Sequence, residues 1–212
     1  MNEVITKPQR KRVRSTPEVR RRQLIEAGMK RIQQHGIAGF TVEKIAETAG
    51  VSMGLISRYF DGRDGLLAAV YEHLLNSITR LTPCVTSSLS ESIEVVVEVI
   101  ENNFGNEVYS RKNFPVWLSL YAEMPFNGAL RSKQRKLARE YSATLAEYLA
   151  NIAQHRSLPL DAPTVASNFV AYLDGLWLQW CLSESDDYSA ERASAYEFLE
   201  QYIGPLKILS AK

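Results

Sequence analysis

The side chains whose types and spacing best suit recognition chemistry lie between Phe40 and Leu67, in the segment FTVEKIAETAGVSMGLISRYFDGRDGLL. Leu55, Ile56 and Phe60 recur at helical spacing and are expected to face inward. Four other side chains of that helix then point outward, namely Ser52, Met53, Ser57 and Arg58. Arginine can pair with a guanine edge or a phosphate, methionine can touch a thymine methyl group, and serine can donate to either a base or a phosphate. The segment therefore offers the chemistry of DNA base reading.

Two short helices joined by a tight turn would present these side chains. Thr41 is suited to cap a helix over 42–49, Gly50 to leave it in a left-handed conformation, and Ser52 to cap the next helix, which ends at Phe60. Thr41, at a helix N-terminus, could also donate to a phosphate, and Tyr59 and Arg63 are placed for the DNA backbone. Helical hairpins of this kind also occur in proteins that bind no DNA, so the geometry leaves both readings open.

The charge distribution favours a nucleic-acid partner for the front of the chain. Residues 1–63 hold 13 Lys/Arg and 6 Asp/Glu, whereas residues 64–212 hold 12 and 18, although the net charge of the whole chain is only +1. A local excess of positive charge attracts a phosphate backbone. A solvated basic helix face is the alternative.

The hydrophobic pattern predicts an all-α protein of about nine helices, because helical spacing recurs throughout and no sustained period-two alternation is seen. The helix boundaries follow from caps, prolines and polar runs. The predicted helices are 17–36, 42–49, 52–60, 64–81, 93–104, 113–124, 127–154, 162–182 and 190–203, with Thr82-Pro83 ending the fourth and 86–92 forming a loop.

The sequence contains no recognisable motif for catalysis, for a cofactor or for a metal. The chain shows no nucleophile elbow, phosphate loop or HExxH sequence, and its two cysteines and three histidines are scattered. The longest nearly apolar stretch, 169–182, is too short to span a bilayer and contains Asp174. The basic first residues do not read as a secretory signal. We therefore expect a cytoplasmic protein that is not an enzyme, has no cofactor and does not bind a membrane.

The stretch AGVSMGLISRYFDGRDGLL resembles the signature of the TetR family of bacterial regulators over roughly residues 20–70. The resemblance places Gly54 in the recognition helix. It implies three parts: a basic arm over 1–16, a three-helix helix-turn-helix DNA-binding domain over 17–64, and a helical effector-binding and dimerisation domain over 65–212. It further implies a homodimer on a palindromic double-stranded DNA operator, most simply a repressor released by a small-molecule effector. The arm could contact DNA or only increase solubility.

Two further pieces, FPVWLSLYAEMP and YLDGLWLQWCLS, resemble the C-terminal domain of BetI-type regulators, which are choline-responsive repressors. Aromatic faces attract a quaternary ammonium, and a carboxylate adds Coulomb attraction. The expected ligand-binding residues are Phe114, Trp117, Tyr121, Asp174 and Trp177. Each of them could instead serve core packing, and Asp174 could form a salt bridge across the dimer.

Two other classes of function stay open from the residues alone. The acidic part of the chain, residues 64–212, could be a helical enzyme or ligand carrier, and the basic N-terminal part could serve only to dock it to a partner. No catalytic motif supports this alternative. Alternatively, the chain could be a DNA-binding protein without an effector, which predicts a dry, fully packed C-terminal core.

Overall fold

The structure, a computed structural model, describes residues 16–78, 81, 86–104 and 109–206. Within these ranges the chain is helical and contains no strand. Its helices are α1 (Pro17–His35), α2 (Val42–Ala49), α3 (Met53–Phe60), α4 (Arg63–Ile78), α5 (Leu89–Asn103), α6 (Phe114–Glu123), α7 (Gly128–His155), α8 (Ala162–Leu182) and α9 (Ser189–Ile203), with a single 3-10 turn at Ile37–Gly39.

The first three helices begin and end within one residue of the prediction, whereas the fourth, predicted over 64–81, spans Arg63–Ile78 and leaves Leu81 outside it. The Thr16 hydroxyl accepts a hydrogen bond from the Val19 amide at the start of α1, and the Thr41 hydroxyl accepts one from the Lys44 amide at the start of α2. Gly50 ends α2 with a φ of 65°, in the left-handed region. The predicted helix-turn-helix is therefore confirmed as local geometry.

The junction between α3 and α4 explains two of the glycines in the sequence. Gly62 has a φ of 97°, a conformation that side-chain-bearing residues rarely adopt. At Gly65 an added Cβ would lie 1.7 Å from the Phe60 carbonyl oxygen. Only a residue without a side chain lets α4 start this close to the end of α3.

Two hydrophobic cores meet inside the molecule. The first joins α1–α4 to α6 and to the last turns of α8, and contains Leu24, Phe40, Leu67, Trp117 and Trp177. The second lies among α5, α7, α8 and α9. The N-terminal helices therefore share a core with α6 and the end of α8. A movement of α6 can reach the N-terminal helices through this core, in which α4 and α6 both take part.

Some predicted boundaries needed correction. The prediction that 86–92 is a loop was wrong at its end, because Ser88 caps α5 by accepting from the Glu91 amide, and the helix starts at Leu89 rather than at Ile93. The remaining boundaries of α6–α9 agree to within one residue. The predicted arm over 1–16, except Thr16, and the break at Thr82-Pro83 lie outside the described residues.

Candidate nucleic-acid interface and ligand cavity

The outward face of α3 carries the residues expected to read bases. Ile56 is fully buried and Phe60 is nearly so, which fixes the orientation of the helix. The opposite face is exposed, and Met53 has 51% of its surface accessible. The exposed members of the predicted set are Ser52, Met53, Gly54, Ser57 and Arg58.

The N-terminus of α3 is left open by its own cap residue. Ser52 occupies the N-cap position, as predicted, but its hydroxyl forms no capping hydrogen bond. The expectation that Ser52 caps the helix is corrected to that extent. At Gly54, the second residue of α3, an added Cβ would meet nothing within 4 Å. A flat, unobstructed surface therefore begins at this end of α3.

The residues expected to contact the DNA backbone are not equally free. Thr41 and Tyr59 are half-buried, and the Tyr59 carbonyl accepts from the Arg21 guanidinium at 3.0 Å. Arg63 donates from Nε to the Phe40 carbonyl at 3.2 Å, and its Nη1 pairs with the Glu123 carboxylate at 3.1 Å. The structure thus gives Arg63 intramolecular partners that the sequence did not reveal, and sets it apart from the exposed face of α3.

A cavity of about 390 Å³ lies between α4, α6, α7 and α8. Three of the five predicted ligand-binding residues, Trp117, Tyr121 and Asp174, line it. The remaining polar and aromatic lining includes Tyr71, Asn76, Asn103, Tyr109, Gln134, Glu140, Tyr141, Ser142, Thr144 and Ser167. No Lys, Arg or His of the described chain is among its lining residues.

The aromatic rings of the cavity surround Trp117. Its indole stacks on Tyr109 with ring centroids 5.5 Å apart and 11° between the planes, and on Tyr121 at 6.1 Å and 29°. Tyr71 meets the same indole edge-on at 6.0 Å. Such contacts fix the rings relative to one another. The result is a rigid wall of π faces beside Asp174.

Two carboxylates line the cavity; Glu140 is exposed and pairs with Lys136 at 3.9 Å, so Asp174 supplies the negative charge beside the aromatic rings. Burial raises the pKa of its carboxyl to about 6, because removing a carboxylate from water disfavours the charged form. Burial also raises the pKa of Tyr71, Tyr109, Tyr121 and Tyr141, and the nearby Asp174 charge raises each of them further. The four phenols therefore stay neutral at physiological pH around a carboxylate without a basic partner on the cavity wall. Such a site favours a cation.

Phe114 and Trp177, the other two predicted ligand-binding residues, do not line the cavity. Trp177 is fully buried and packs edge-on against Trp117 at 6.2 Å and against Phe114 at 5.5 Å. Trp177 lies in the first core together with Trp180 and Cys181, the buried residues that follow it in α8. The expectation that these two residues, Phe114 and Trp177, bind the ligand is therefore corrected. They pack behind Trp117, on the side away from the cavity, and help to hold its ring in place.

The sequence analysis missed three aromatic residues of the cavity, Tyr71, Tyr109 and Tyr141, besides several of its polar and aliphatic residues. Tyr71 lies within the apolar pattern of α4, which is typical of an ordinary core residue. Tyr141 is surrounded by charged residues on α7, and Tyr109 lies in the connection before α6. No local signal joins them, because they meet only when the three elements pack together.

The described residues form neither a metal site nor a membrane span. Within the described ranges, no group of three or more His, Cys, Asp or Glu residues is arranged to hold a metal ion. None of the helices described here is both long and apolar enough to cross a membrane.

Comparison with known proteins agrees with this geometry. Residues 24–70 match the family model of the bacterial regulatory proteins of the tetR family, and residues 92–204 match that of the BetI-type transcriptional repressor C-terminal domain. The chain is a DNA-binding transcriptional regulator of the helix-turn-helix class, not an enzyme. More narrowly, it belongs to the TetR family and to the BetI-type group within it.

Individual relatives support the same placement. The chain is 30% identical over 191 residues to the HTH-type transcriptional regulator BetI of Burkholderia mallei, covering 89% of this chain and 95% of the relative. Among solved structures, a transcriptional regulator from Pseudomonas aeruginosa PAO1 aligns with a TM-score of 0.75 at 27% identity, covering 89% of this chain and 92% of the other. One from Saccharomonospora viridis, in complex with choline, aligns at 0.63 and 19% identity over 86% and 96% of the two chains, which shows the shared fold.

Proposed function

We propose that this regulator is a repressor that binds a palindromic operator as a homodimer in the cytoplasm and is released by an organic cation held in the cavity. The observation that carries the proposal is the uncompensated Asp174 carboxyl facing the Trp117 and Tyr121 rings inside a cavity of about 390 Å³. An effector-free DNA-binding protein would need a packed core at this position. The cavity therefore favours a ligand-responsive protein.

The DNA-reading part of the proposal rests on the exposed face of α3. Arg58 would pair with a guanine edge or a phosphate, Met53 would contact a thymine methyl group, and Ser52 and Ser57 would donate to bases or phosphates. Gly54 lets the helix approach the groove closely. In a symmetric dimer the two recognition helices enter successive major grooves, about one helical turn or a small multiple apart.

A quaternary ammonium fits the cavity chemistry. Each favourable cation–π contact contributes about 0.5–2 kcal/mol, and the Asp174 carboxylate adds attraction in a poorly solvated site. The choline complex of the Saccharomonospora viridis regulator and the resemblance to choline-responsive BetI-type repressors support the same class of ligand. We therefore infer choline or a related cationic amine as the effector.

The dimer would form through the exposed side of α8 and α9. Ala171 and Gly175 lie exposed on α8, and an added Cβ at Gly175 would meet nothing within 4 Å. The surface also carries large apolar side chains, since Leu182 is 63% and Tyr202 is 42% exposed. Small residues allow two helices to approach closely, and apolar ones make their burial favourable.

The DNA part is tested by measuring operator affinity with the DNA flanking the gene and with random duplex. Arg58→Ala should weaken specific binding by about 1–3 kcal/mol and affect random duplex much less, since it removes a base contact. Arg135→Ala, an equally exposed arginine on α7, serves as the matched control and should leave the preference unchanged. Equal losses on specific and random DNA for Arg58→Ala would refute its base-reading role.

The ligand part is tested by repeating the operator measurement with choline, betaine aldehyde and other cationic amines. At least one should lower operator affinity in the native protein, and Asp174→Asn should reduce that response while the fold and the affinity for free operator are retained. If no cationic amine binds the dimer or releases the operator, the proposed effector class is wrong.

A further inference from the structure

The cavity extends well beyond the aromatic cage. On α8, Asp174 and Ser167 both line it and lie seven residues apart, which corresponds to about 10 Å along a helix. In choline the hydroxyl oxygen is three bonds from the nitrogen, at about 1.5 Å each, so it reaches about 4 Å from the ammonium centre. The volume of about 390 Å³ also falls in the range, roughly 300–1,000 Å³, that holds drug-sized ligands. Choline alone would leave one end empty.

The two ends can be ordered relative to the DNA-binding head. Ala129 and Lys133 at the start of α7 share a surface depression with Arg58 and Gly65, so α7 starts beside the head, as α4 does. Later residues of both helices lie farther from it. Trp177 and Trp180, late in α8, pack in the first core together with residues of α1–α4. The C-terminal end of α8 is therefore the end nearest the DNA-binding head. Earlier residues of α8 are thus farther away.

The distal end therefore has its own chemistry. It is formed by Leu81, which lies ten positions beyond Tyr71, together with Thr144 of α7 and Ser167 and Val170 of α8. Two hydroxyls and two aliphatic side chains can serve an uncharged polar group and a short hydrocarbon. A carboxylate there would have no basic partner among the lining residues and would be repelled by Asp174 and Glu140 of the same cavity, which makes it unfavourable.

We propose that the effector is an elongated monocation, with an ammonium head at Trp117, Tyr121 and Asp174 and an uncharged ester or amide tail at the distal end. The tail carbonyl accepts hydrogen bonds from the Thr144 and Ser167 hydroxyls, and its alkyl group packs on Leu81 and Val170. This inference rests on the proposed cation-responsive function and narrows the ligand class. It excludes zwitterions of similar length.

The test measures binding to the full-length dimer by calorimetry, with tryptophan fluorescence as a second readout, for tetramethylammonium, choline, acetylcholine, butyrylcholine and carnitine. Each buried methylene contributes about 0.8 kcal/mol, so the choline esters should bind at least about tenfold tighter than choline. Carnitine, which is zwitterionic, should bind weaker than choline. Choline equal to or tighter than both esters would overturn the inference and leave the proposed function standing, whereas no binding by any cation would overturn both.

A variant pair tests the distal end directly. Ser167→Val removes one hydroxyl there and should reduce the acetylcholine-to-choline affinity ratio by about fivefold or more, the loss of a hydrogen bond of about 1 kcal/mol. Ser132→Val is the matched control, because Ser132 is exposed on α7 and lines no part of the cavity. Thermal unfolding checks that both variants are folded. An unchanged ratio in folded Ser167→Val would contradict the placement of the tail.

Discussion

Arg63, the first residue of α4, pairs with Glu123, the last residue of α6, at 3.1 Å. Trp117 and Tyr121 of the cavity lie on the same α6, six and two residues before Glu123. Arg63 also holds the Phe40 carbonyl just before α2. A single side chain thus connects the helix that lines the cavity with the helices that present the DNA-reading face. A ligand that moves α6 would act on Arg63 first.

We predict that Glu123→Gln weakens the coupling between effector and operator. The pair is partly exposed, so its loss should change the free energy of unfolding by only about 0.5–1 kcal/mol. The ratio of operator affinities without and with choline should fall toward one, because the two sites are coupled by a free-energy difference that this contact transmits. The measurement is operator titration at several choline concentrations.

The matched control for this prediction is Glu72→Gln. Glu72 pairs with Lys133 at 3.1 Å with almost the same exposure, but joins α4 to α7 and not to α6, which carries Trp117 and Tyr121. It should leave the ratio unchanged. Arg63→Gln separates the two possible roles of this arginine. If Arg63 acts through its ion pair with Glu123, the variant should reproduce the effect of Glu123→Gln on the ratio. If Arg63 contacts a phosphate, the variant should lower the affinity for specific and random DNA alike.

The two glycines at either end of the α3 region should respond in opposite ways to alanine. Gly65→Ala forces a Cβ against the Phe60 carbonyl oxygen and should destabilise the fold by about 3 kcal/mol or more. Gly54→Ala meets open space in a helix and should be neutral or stabilising by up to about 1 kcal/mol. Chemical denaturation measures both. A stable Gly54→Ala that binds operator more weakly would indicate close approach of this face to DNA.

Cation binding should strengthen as pH rises through the pKa of Asp174. That pKa is raised to about 6, so the carboxyl is largely protonated at pH 5 and ionised at pH 7.5. Release of one proton on binding predicts an affinity increase of about tenfold between these values. The tyrosines do not contribute, since their pKa values are raised above the usual value of 10.0. Calorimetry in buffers of different ionisation enthalpy would detect the proton.

The same group predicts how the stability of the unliganded protein depends on pH. Because the folded-state pKa of Asp174 lies above its unfolded value, the folded state binds more protons between these two values. Its contribution to stability is fully present below the unfolded pKa of 3.8 and is lost as pH rises through about 6. Asp174→Asn should remove this contribution to the pH dependence and also flatten the pH profile of cation binding. A profile that stays steep in the variant would assign the proton to another group.

Arg111 should be the main support for the C-terminal end of α8. Its guanidinium donates to the carbonyl oxygens of Trp180, Cys181, Ser183 and Ser185 and lies over the Trp180 ring at 5.1 Å. Arg111→Ala removes several charged hydrogen bonds and should lower the free energy of unfolding by about 2–3 kcal/mol. Lys112→Ala, at the exposed neighbouring position, should change it little. Equal melting temperatures for the two variants would contradict this role.

The sequence by itself determined the elements that depend on neighbouring residues. Thr16, Thr41 and Gly50 mark helix ends because capping and left-handed turns involve only a few successive residues. The exposed and buried sides of α3 followed from helical spacing alone. The start of α5 was misplaced because serines favour loops and helix caps alike, and only the Ser88 hydrogen bond shows which one acts.

Tertiary structure alone decided which side chains share a site. Tyr71, Tyr109 and Tyr141 come from different elements and join Trp117 only when those elements pack, whereas Trp177 lies one helical turn from Asp174 yet faces the core. Arg63 was expected to contact DNA because it is basic and follows the recognition helix, but packing brings Glu123, sixty residues away, within 3.1 Å. Helical periodicity fixes the side of a helix on which a residue lies, but contacts between distant residues depend on how the helices pack.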